Sequence, residues 1–239
     1  MDEFREGRAQ LAGDAAHHLG RVLRAEPGQQ FELSNGAEVW LARVESVERD
    51  AVQFALVEQL IAREPTVRVT LLLSIVKFDR FEWCLEKATE LAVRDFVPLA
   101  AARCDTGLVA AAAKRAERWE KILFESAQQA RLMRPPRLHK VEEPRVAFAG
   151  AGIHTRGLGT IPIILSERDG APSMRARIEG KGASAAILAI GPEGGWTDQE
   201  QADARAAGYE DASLGSYNLR TETAVIAALA NLNFALAQE

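Results

Sequence analysis

Three short stretches near the C-terminal end combine glycines with charged side chains: Leu165-Ser166-Glu167-Arg168-Asp169-Gly170, Ile190-Gly191-Pro192-Glu193-Gly194-Gly195-Trp196, and Leu214-Gly215-Ser216-Tyr217-Asn218-Leu219-Arg220-Thr221-Glu222-Thr223-Ala224. Glycine lets a main chain come close to a ligand with its N–H and C=O groups aimed at it. Such loops suit a flat polar ligand, a nucleoside for example, read through main-chain hydrogen bonds. Taken singly, a Gly-Pro or Gly-Gly pair makes only a turn; the second and third stretches together favour a site. The other familiar chemistries lack their residues. There is no Gly-x-x-x-x-Gly-Lys-Ser/Thr and no Gly-x-Gly-x-x-Gly after a strand. No Cys/His set has zinc spacing, and the adjacent His17 and His18 of one helix cannot point at one metal. Ser166 has no evident histidine partner for a hydrolytic triad. The sequence therefore predicts no metal.

These loops need elements to hold them. Each follows an apolar run: Ile161–Leu165, Ala185–Ile190 and Ala212–Leu214 read as strands. Thr197-Asp198-Gln199-Glu200 is a capping box opening a helix to about Ala207, and Thr221 opens a terminal helix to about Ala237. Further upstream, Val67–Ile75 and Phe96–Leu99 read as strands, and Lys77–Val93 as a helix started by Asp79-x-x-Glu82. Ala110–Ala130 reads as one long helix, Pro135-Pro136 as a stop, and the Gly-rich 149–159 as a loop. Strands alternating with helices predict a parallel sheet covered on both faces, with ligands outside the carboxyl ends of its strands.

Residues 1–62 follow another pattern. Residues 14–24 predict a short helix with Asp14 as N-cap and Leu19, Val22 and Leu23 on one face. Then Phe31 and Leu33 alternate with polar residues into Ser34-Asn35-Gly36, a hairpin signal in which both central residues tolerate positive φ. Val39–Val44 and Ala51–Val57 continue as strands, so this part predicts a small β-barrel or curled sheet, joined through the linker Arg63-Glu64-Pro65-Thr66 to a second domain over 67–239.

The chain has 239 residues, 47% apolar and 26% charged, which excludes wholesale disorder, collagen and coiled coil. No uncharged run is long enough for a membrane span, and Met1–Glu6 lacks the apolar core of a secretory leader. Two cysteines, Cys84 and Cys104, make no disulfide framework, which predicts a reduced, cytoplasmic protein. The net charge of −5 hides an asymmetry: −5 over residues 1–62, +4 over 63–150 and −4 over 151–239. The excess lies in 114–137, with Lys114, Arg115, Arg118, Lys121, Arg131, Arg134 and Arg137. This stretch is either a solvated helix face or a phosphate-binding surface.

Several motifs point further. They are His17-His18-Leu19-x-x-Val22-Leu23-Arg24 with Gly28, Asn35-Gly36, Lys87-Ala88-Thr89-Glu90-Leu91-Ala92-Val93, and Arg118-Trp119-x-Lys121-Ile122 with Gln128-Gln129 and Arg131. Above all they are Ile190-Gly-Pro-Glu-Gly-Gly195 and Leu214-Gly-x-x-x-Leu-Arg-Thr-Glu-Thr-Ala224. On these residues the sequence resembles the bacterial ribosomal RNA uridine-N3 methyltransferases of the SPOUT superfamily, over nearly its whole length. The Gly-Pro-Glu-Gly-Gly motif marks the superfamily; the His-His-Leu and Leu-Arg-Thr-Glu-Thr-Ala motifs narrow it to the family. The opening Met1–Arg8 is shorter and more acidic than the family's usual lead, with Arg5 and Arg8 as its basic residues. The resemblance implies an α/β fold with an N-terminal PUA-like β-barrel and a methyltransferase domain ending in a trefoil knot, a topology that general rules treat as rare. It implies S-adenosylmethionine held by Leu165, Gly191, Glu193, Gly194, Leu214, Gly215, Leu219 and Arg220. Its implied partners are small-subunit ribosomal RNA in an assembled particle and a second copy of the chain, in a homodimer. Arg24, Arg131, Arg134 and Arg137 are the candidate RNA contacts.

Uridine N3 carries a proton at neutral pH and must lose it to become a good nucleophile, spreading charge to O2 and O4. The chemistry asks for a base and for a cation or donors near those oxygens. Arg220 can supply the cation. Glu222 is the nearest candidate base, and its alternative role is a charge stabilising a helix start. Two other functions fit the same residues: methylation of another RNA position or a ribose 2′-oxygen, and RNA binding without catalysis. The N-terminal β-unit and the Leu-Arg-Thr-Glu-Thr-Ala motif weigh against the first, and the intact loop glycines against the second.

Overall fold

A computed structural model describes residues 4–62, 65–155 and 159–236, with the side chains of all but Asp14 and residues 151–155. The chain forms two compact units. The first holds the described residues up to 62 together with Leu132–Arg134; the second holds the rest. Residues 63 and 64 of the expected linker lie outside the described residues.

In the first unit, β1 (Arg8–Ala12), β2 (Gln30–Ser34), β3 (Val39–Val47) and β4 (Ala51–Leu60) form an antiparallel sheet in the order β1-β4-β3-β2. Every second residue turns inward, burying Leu33, Ala42, Val44, Val52 and Phe54. The rings of Phe31 and Phe54 meet edge to face at 6.5 Å. Register shifts at Leu41/Ala42 and Val44/Ser46 interrupt the β3–β4 ladder. At the β2–β3 hairpin only Gly36 has positive φ (85°), so the two-residue turn expected from Asn-Gly does not form. Instead Asn35 Oδ1 accepts hydrogen bonds from the N–H groups of Ala37 and Glu38, at 2.9 and 2.8 Å, closing a longer loop. Ser34 Oγ donates to the carbonyl of Met133 at 2.6 Å, which fastens residues 132–134 to this unit.

The predicted helix over 14–24 needs correcting. It begins at Gly13 as α1 (Gly13–His17), and passes into a π-type turn over His18–Val22, with Leu23 N–H donating to His18 O. The side chain of Asp14, the expected cap, lies outside the described residues. The wider turn rotates the apolar residues apart: Leu19 is buried, whereas Val22 and Leu23 are 60% and 57% exposed.

The second unit is a six-stranded, wholly parallel sheet in the order β10-β8-β9-β5-β6-β7. Its strands are β5 (Arg68–Ser74), β6 (Val93–Leu99), β7 (Arg137–Leu138), β8 (Thr160–Leu165), β9 (Ala185–Ile190) and β10 (Glu210–Ala212). Residues of β5 alternate between two cores, Leu71 and Leu73 in one and Leu72 in the other, and those of β9 do the same. The first core is covered by α2 (Phe78–Glu90), α4 (Ala116–Gln129), α6 (Met174–Ile178) and α8 (Thr221–Leu236), with Phe81, Trp119, Ile178 and Leu229 buried. The second is covered by α5 (Pro144–Thr155) and α7 (Asp198–Ala206), through Phe148, Trp196, Ala204 and Tyr209. Among the described residues no helix is long and apolar enough to cross a membrane.

Several boundaries differ from the sequence reading. Helix α2 ends at Glu90 because Ala92 adopts φ of 63° and β6 starts at Val93. Neither Asp79 nor Glu82 caps it: Asp79 sits in its first turn, and Glu82 pairs with Arg115 and Arg118. The expected single helix over 110–130 is two. Asp105 starts α3 (Thr106–Ala112) early by accepting from Gly107 N and Leu108 N, and a 3-10 turn over Ala113–Arg115 separates it from α4. The Gly-rich stretch is not a loop up to residue 155. Pro144 opens α5, and burial of Ala147 and Phe148 outweighs the poor helix propensity of the glycines. Residues 156–158 lie outside the described residues. The strand expected at Ala212–Leu214 lies two residues earlier, because Ser213 leaves the ladder to bridge Ser173.

Cys84 lies fully buried in the first core, where desolvation, and next the nearby Glu222 charge, push its thiol up to about 12. Only thiolate is nucleophilic. At pH 8, far below that value, Cys84 stays protonated and out of reach, so iodoacetamide should label it only after unfolding in guanidinium. Rapid labelling of Cys84 in the native protein, located by peptide mass spectrometry, would contradict this packing.

Candidate active site

The loops after β8, β9 and β10 leave three adjacent strands at the same edge of the sheet, and they are tied together. Trp196 Nε1 of the second loop donates to the carbonyl of Leu165 in the first, at 3.0 Å. Ser166 N–H of the first donates to Ala212 O at the start of the third, at 2.9 Å. Arg168 of the first loop pairs with Asp198 in the first turn of α7.

Packing explains the glycines of the second loop. A Cβ on Gly191 would lie 3.0–3.3 Å from the indole of Trp196, which is buried against Phe148. A Cβ on Gly194 would meet the side chain of Arg103 at 3.2 Å, while Arg103 Nη1 donates to Gly194 O at 2.7 Å. Gly195 takes φ of 69° and closes a turn by donating to Pro192 O at 2.8 Å. Below the loop, the predicted capping box is formed. Buried Glu200 accepts from Thr197 N–H and Oγ1 through one oxygen and from Ala102 N–H through the other, each at 2.8 Å. One carboxylate thus fastens the chain after β6, which carries Arg103, to the start of α7.

The third loop is open. Gly215 (φ 130°) is held by Ser213, whose Oγ accepts from its N–H and donates to its carbonyl. Ser216, Tyr217, Asn218 and Leu219 form no hydrogen bond among the described residues, so their main-chain groups are available to a ligand. Leu165 and Leu214 pack on the first core, and Leu219 is half-buried. Arg220 is exposed and has no ion pair among the described residues.

A charged cluster closes the site. Arg80, in the first turn of α2, pairs through Nη1 with Glu193 of the second loop. Its Nε lies 3.9 Å from Oε1 of Glu222, in the first turn of α8. Glu222 Oε2 is buried and has no hydrogen-bond partner among the described residues. The site therefore presents, within three residues, an unpaired carboxylate oxygen and a free guanidinium, beside a loop with unused main-chain groups. Sequence reading placed Glu193, Arg220 and Glu222 here, and Glu200 in its capping box, but missed the pairings of Arg80 and Arg103 and the bond from Ala102 to Glu200. Those partners lie far away in the chain, so no local spacing encodes them. Among the described residues no group of three or more His, Cys, Asp or Glu is placed to hold a metal.

The four candidate RNA contacts divide between the units. Arg24 (φ 52°) and Arg134 belong to the first; Arg131 (φ 54°) and Arg137 belong to the second. Arg137, with Lys121, Phe124, Pro135 and Pro136, lines an open groove of about 550 Å³. Part of the basic stretch is neutralised locally, Arg115 and Arg118 by Glu82 and Lys121 by Glu125.

Comparison with known proteins gives the family. Residues 62–233 match the family model described as RNA methyltransferase domain, and residues 11–57 match that of the RNA methyltransferase PUA domain. The ribosomal RNA small subunit methyltransferase E of Synechocystis is 33% identical over 97% of this chain and 75% of its own. The protein of the same name from Bacillus subtilis is 30% identical over 94% of this chain and 89% of its own. The crystal structure of ribosomal RNA small subunit methyltransferase E from Neisseria gonorrhoeae, bound to S-adenosyl methionine, superposes with a TM-score of 0.85 at 28% identity, covering 98% of this chain and 95% of that one. With its two domain matches, its glycine loops and its overall fold, this chain belongs to the ribosomal RNA small subunit methyltransferase E family.

Proposed function

We propose that this protein methylates N3 of a uridine in small-subunit ribosomal RNA, using S-adenosylmethionine. The observation that carries the reading is the cluster of three tied loops with unused main-chain groups at 216–219 beside Arg220 and Glu222. The names of the relatives and the S-adenosyl methionine bound to the gonococcal structure support the substrate and cofactor. Leu165, Gly191, Glu193, Gly194, Leu214, Gly215, Leu219 and Arg220 form the cofactor pocket. The bound sulfonium supplies an electrophilic methyl group. Arg220 offsets negative charge developing on the uridine carbonyl oxygens, and Glu222 is the candidate acceptor for the N3 proton.

Residues 1–62 serve as the PUA-like RNA-binding domain and 67–239 as the catalytic domain. Arg24, Arg131, Arg134 and Arg137 contact phosphates of RNA in an assembled particle. We read the C-terminal segment as a trefoil knot. Support comes from β9 lying between β8 and β5, so that the chain leaving β9 must pass β8 to reach β10, with α6 and α7 in opposite layers. A homodimer is supported by Trp83 and Phe234, 41% and 90% exposed on α2 and α8, two helices that pack together. The enzyme works in the cytoplasm, where ribosomes are assembled.

Gly191→Val should lower S-adenosylmethionine affinity at least tenfold by calorimetry, because a branched side chain must displace the Trp196 ring that supports the loop. A variant melting as wild type and binding within twofold would remove this loop from the pocket. Arg220→Ala should slow single-turnover methyl transfer by about a hundred- to a thousandfold, a larger loss than its loss of cofactor affinity, the cost of removing one donor to a developing charge. Nucleoside mass spectrometry of the product should show 3-methyluridine; a 2′-O-methyl product would refute the assignment. Replacing Arg131, Arg134 and Arg137 by Ala should reduce the slope of log affinity against log salt by about 0.7–0.9 per lost phosphate contact. An unchanged slope would make the stretch a solvated surface.

A further inference from the structure

Arg80 stands between two carboxylates that the sequence places far apart. One belongs to Glu193 on the loop after β9, the other to Glu222 at the start of α8. Its side chain is 29% exposed, and α2, which carries it, is anchored in the core by Phe81, Leu85 and Ala88. The arginine fork is planar and can serve two acceptors at once from a fixed position. The two contacts are unequal. Glu193 is engaged directly, whereas Glu222 Oε1 is 3.9 Å from Nε, beyond hydrogen-bond reach. The other oxygen, Glu222 Oε2, has no partner although it is buried. An unpaired buried acceptor is unfavourable, and a ligand that brings an N–H relieves it. Cys84 faces the same carboxylate and offers no competing charge, since burial keeps its thiol protonated.

We infer that Arg80 is a positioning residue for methyl transfer: its charge, 3.9 Å from Oε1, orients the Glu222 carboxylate so that Oε2 is left to accept the N3–H of uridine. This inference rests on the reading of the site as a uridine-N3 methyltransferase. Of the uridine ring atoms, N3 carries an N–H between two carbonyls, so an acceptor at Oε2 and a cation at Arg220 match its edge. Cytidine N3 has no hydrogen and would set acceptor against acceptor. In the reaction the N3–H proton passes to Oε2, the N3–C bond forms as the sulfonium S–C bond breaks, and Glu222 later releases the proton to solvent. Arg80 touches neither base nor methyl group in this scheme; it acts through Glu222.

The test is a double-variant cycle in the full-length protein, read as single-turnover rates at saturating S-adenosylmethionine and small-subunit RNA. Arg80→Met should slow the chemical step on the order of a hundredfold, the scale of a misplaced catalytic group, with cofactor affinity within threefold of wild type. Arg80→Lys, which keeps the charge, should recover most of the rate. Glu222→Gln should be slow, and Arg80→Met combined with it should be no slower than Glu222→Gln alone, because the path through Glu222 is already lost. Melting curves confirm that each variant is folded. A wild-type rate in Arg80→Met overturns the inference. So does a double variant slower than Glu222→Gln by the full Arg80→Met factor, or a defect that lies wholly in cofactor affinity, which would place Arg80 behind Glu193. Failure of the wild-type protein to methylate uridine N3 would instead overturn the proposed function, and is read separately in the same assay.

Discussion

Parallel strands cannot be joined by a tight turn. Each must be followed by a crossover that returns the chain to the starting edge, so every strand delivers its outgoing loop to one edge of the sheet. That constraint governs the second unit. Because β8 lies between β10 and β9, the loops after β8, β9 and β10 emerge side by side, although α6 and α7 separate them in sequence. The hydrogen bond from the Trp196 indole to Leu165 O, the bond from Ser166 N–H to Ala212 O and the Arg168–Asp198 pair are local consequences. They convert three neighbouring loops into one surface. The glycines follow from the same closeness: a Cβ on Gly191 would press on the Trp196 indole and one on Gly194 on the Arg103 side chain, so either would make its neighbour shift.

The division of labour among the charges is equally physical. Glu200 is buried and fully engaged by three donors, so it serves to join two loops and has no capacity left for a ligand. Glu193 and Glu222 share one arginine, and between them leave a carboxylate oxygen without a partner. Among the described residues Arg220 is left without a carboxylate partner. Residues of the same chemical types thus divide into charges satisfied within the frame, as at Glu200, and charges left with bonding capacity, as at Glu222 and Arg220.

Much of this was legible in the sequence. The apolar runs at Ile161–Leu165 and Ala185–Ile190, the Thr197–Glu200 capping box and the terminal helix from Thr221 all stand where local pattern placed them, because each is specified by residues within one or two turns. The misreadings have tertiary causes. Val22 and Leu23 share a face with Leu19 only if the helix keeps its ordinary pitch, and a π-type turn removes that condition. The glycines of α5 look like a loop until Phe148 is seen buried against Trp196 and Tyr209. At the site, Arg220 and Glu222 were legible because motif and helix start coincide. Arg80 was not, because its two partners reach it only through the fold.

Residues 132–134 lie between α4 and β7 in sequence, yet they are fastened to the first unit by the hydrogen bond from Ser34 to Met133. The N-terminal unit is therefore not a detachable cassette. The polypeptide commits to it, leaves it near residue 65, and returns to it for three residues before completing the catalytic sheet. Any chimera that exchanges only the first sixty or so residues between homologues would pair one protein's hairpin with another's 132–134 strap. Loss of the Ser34 hydroxyl in such a chimera would leave the Met133 carbonyl without the bond that fastens the strap.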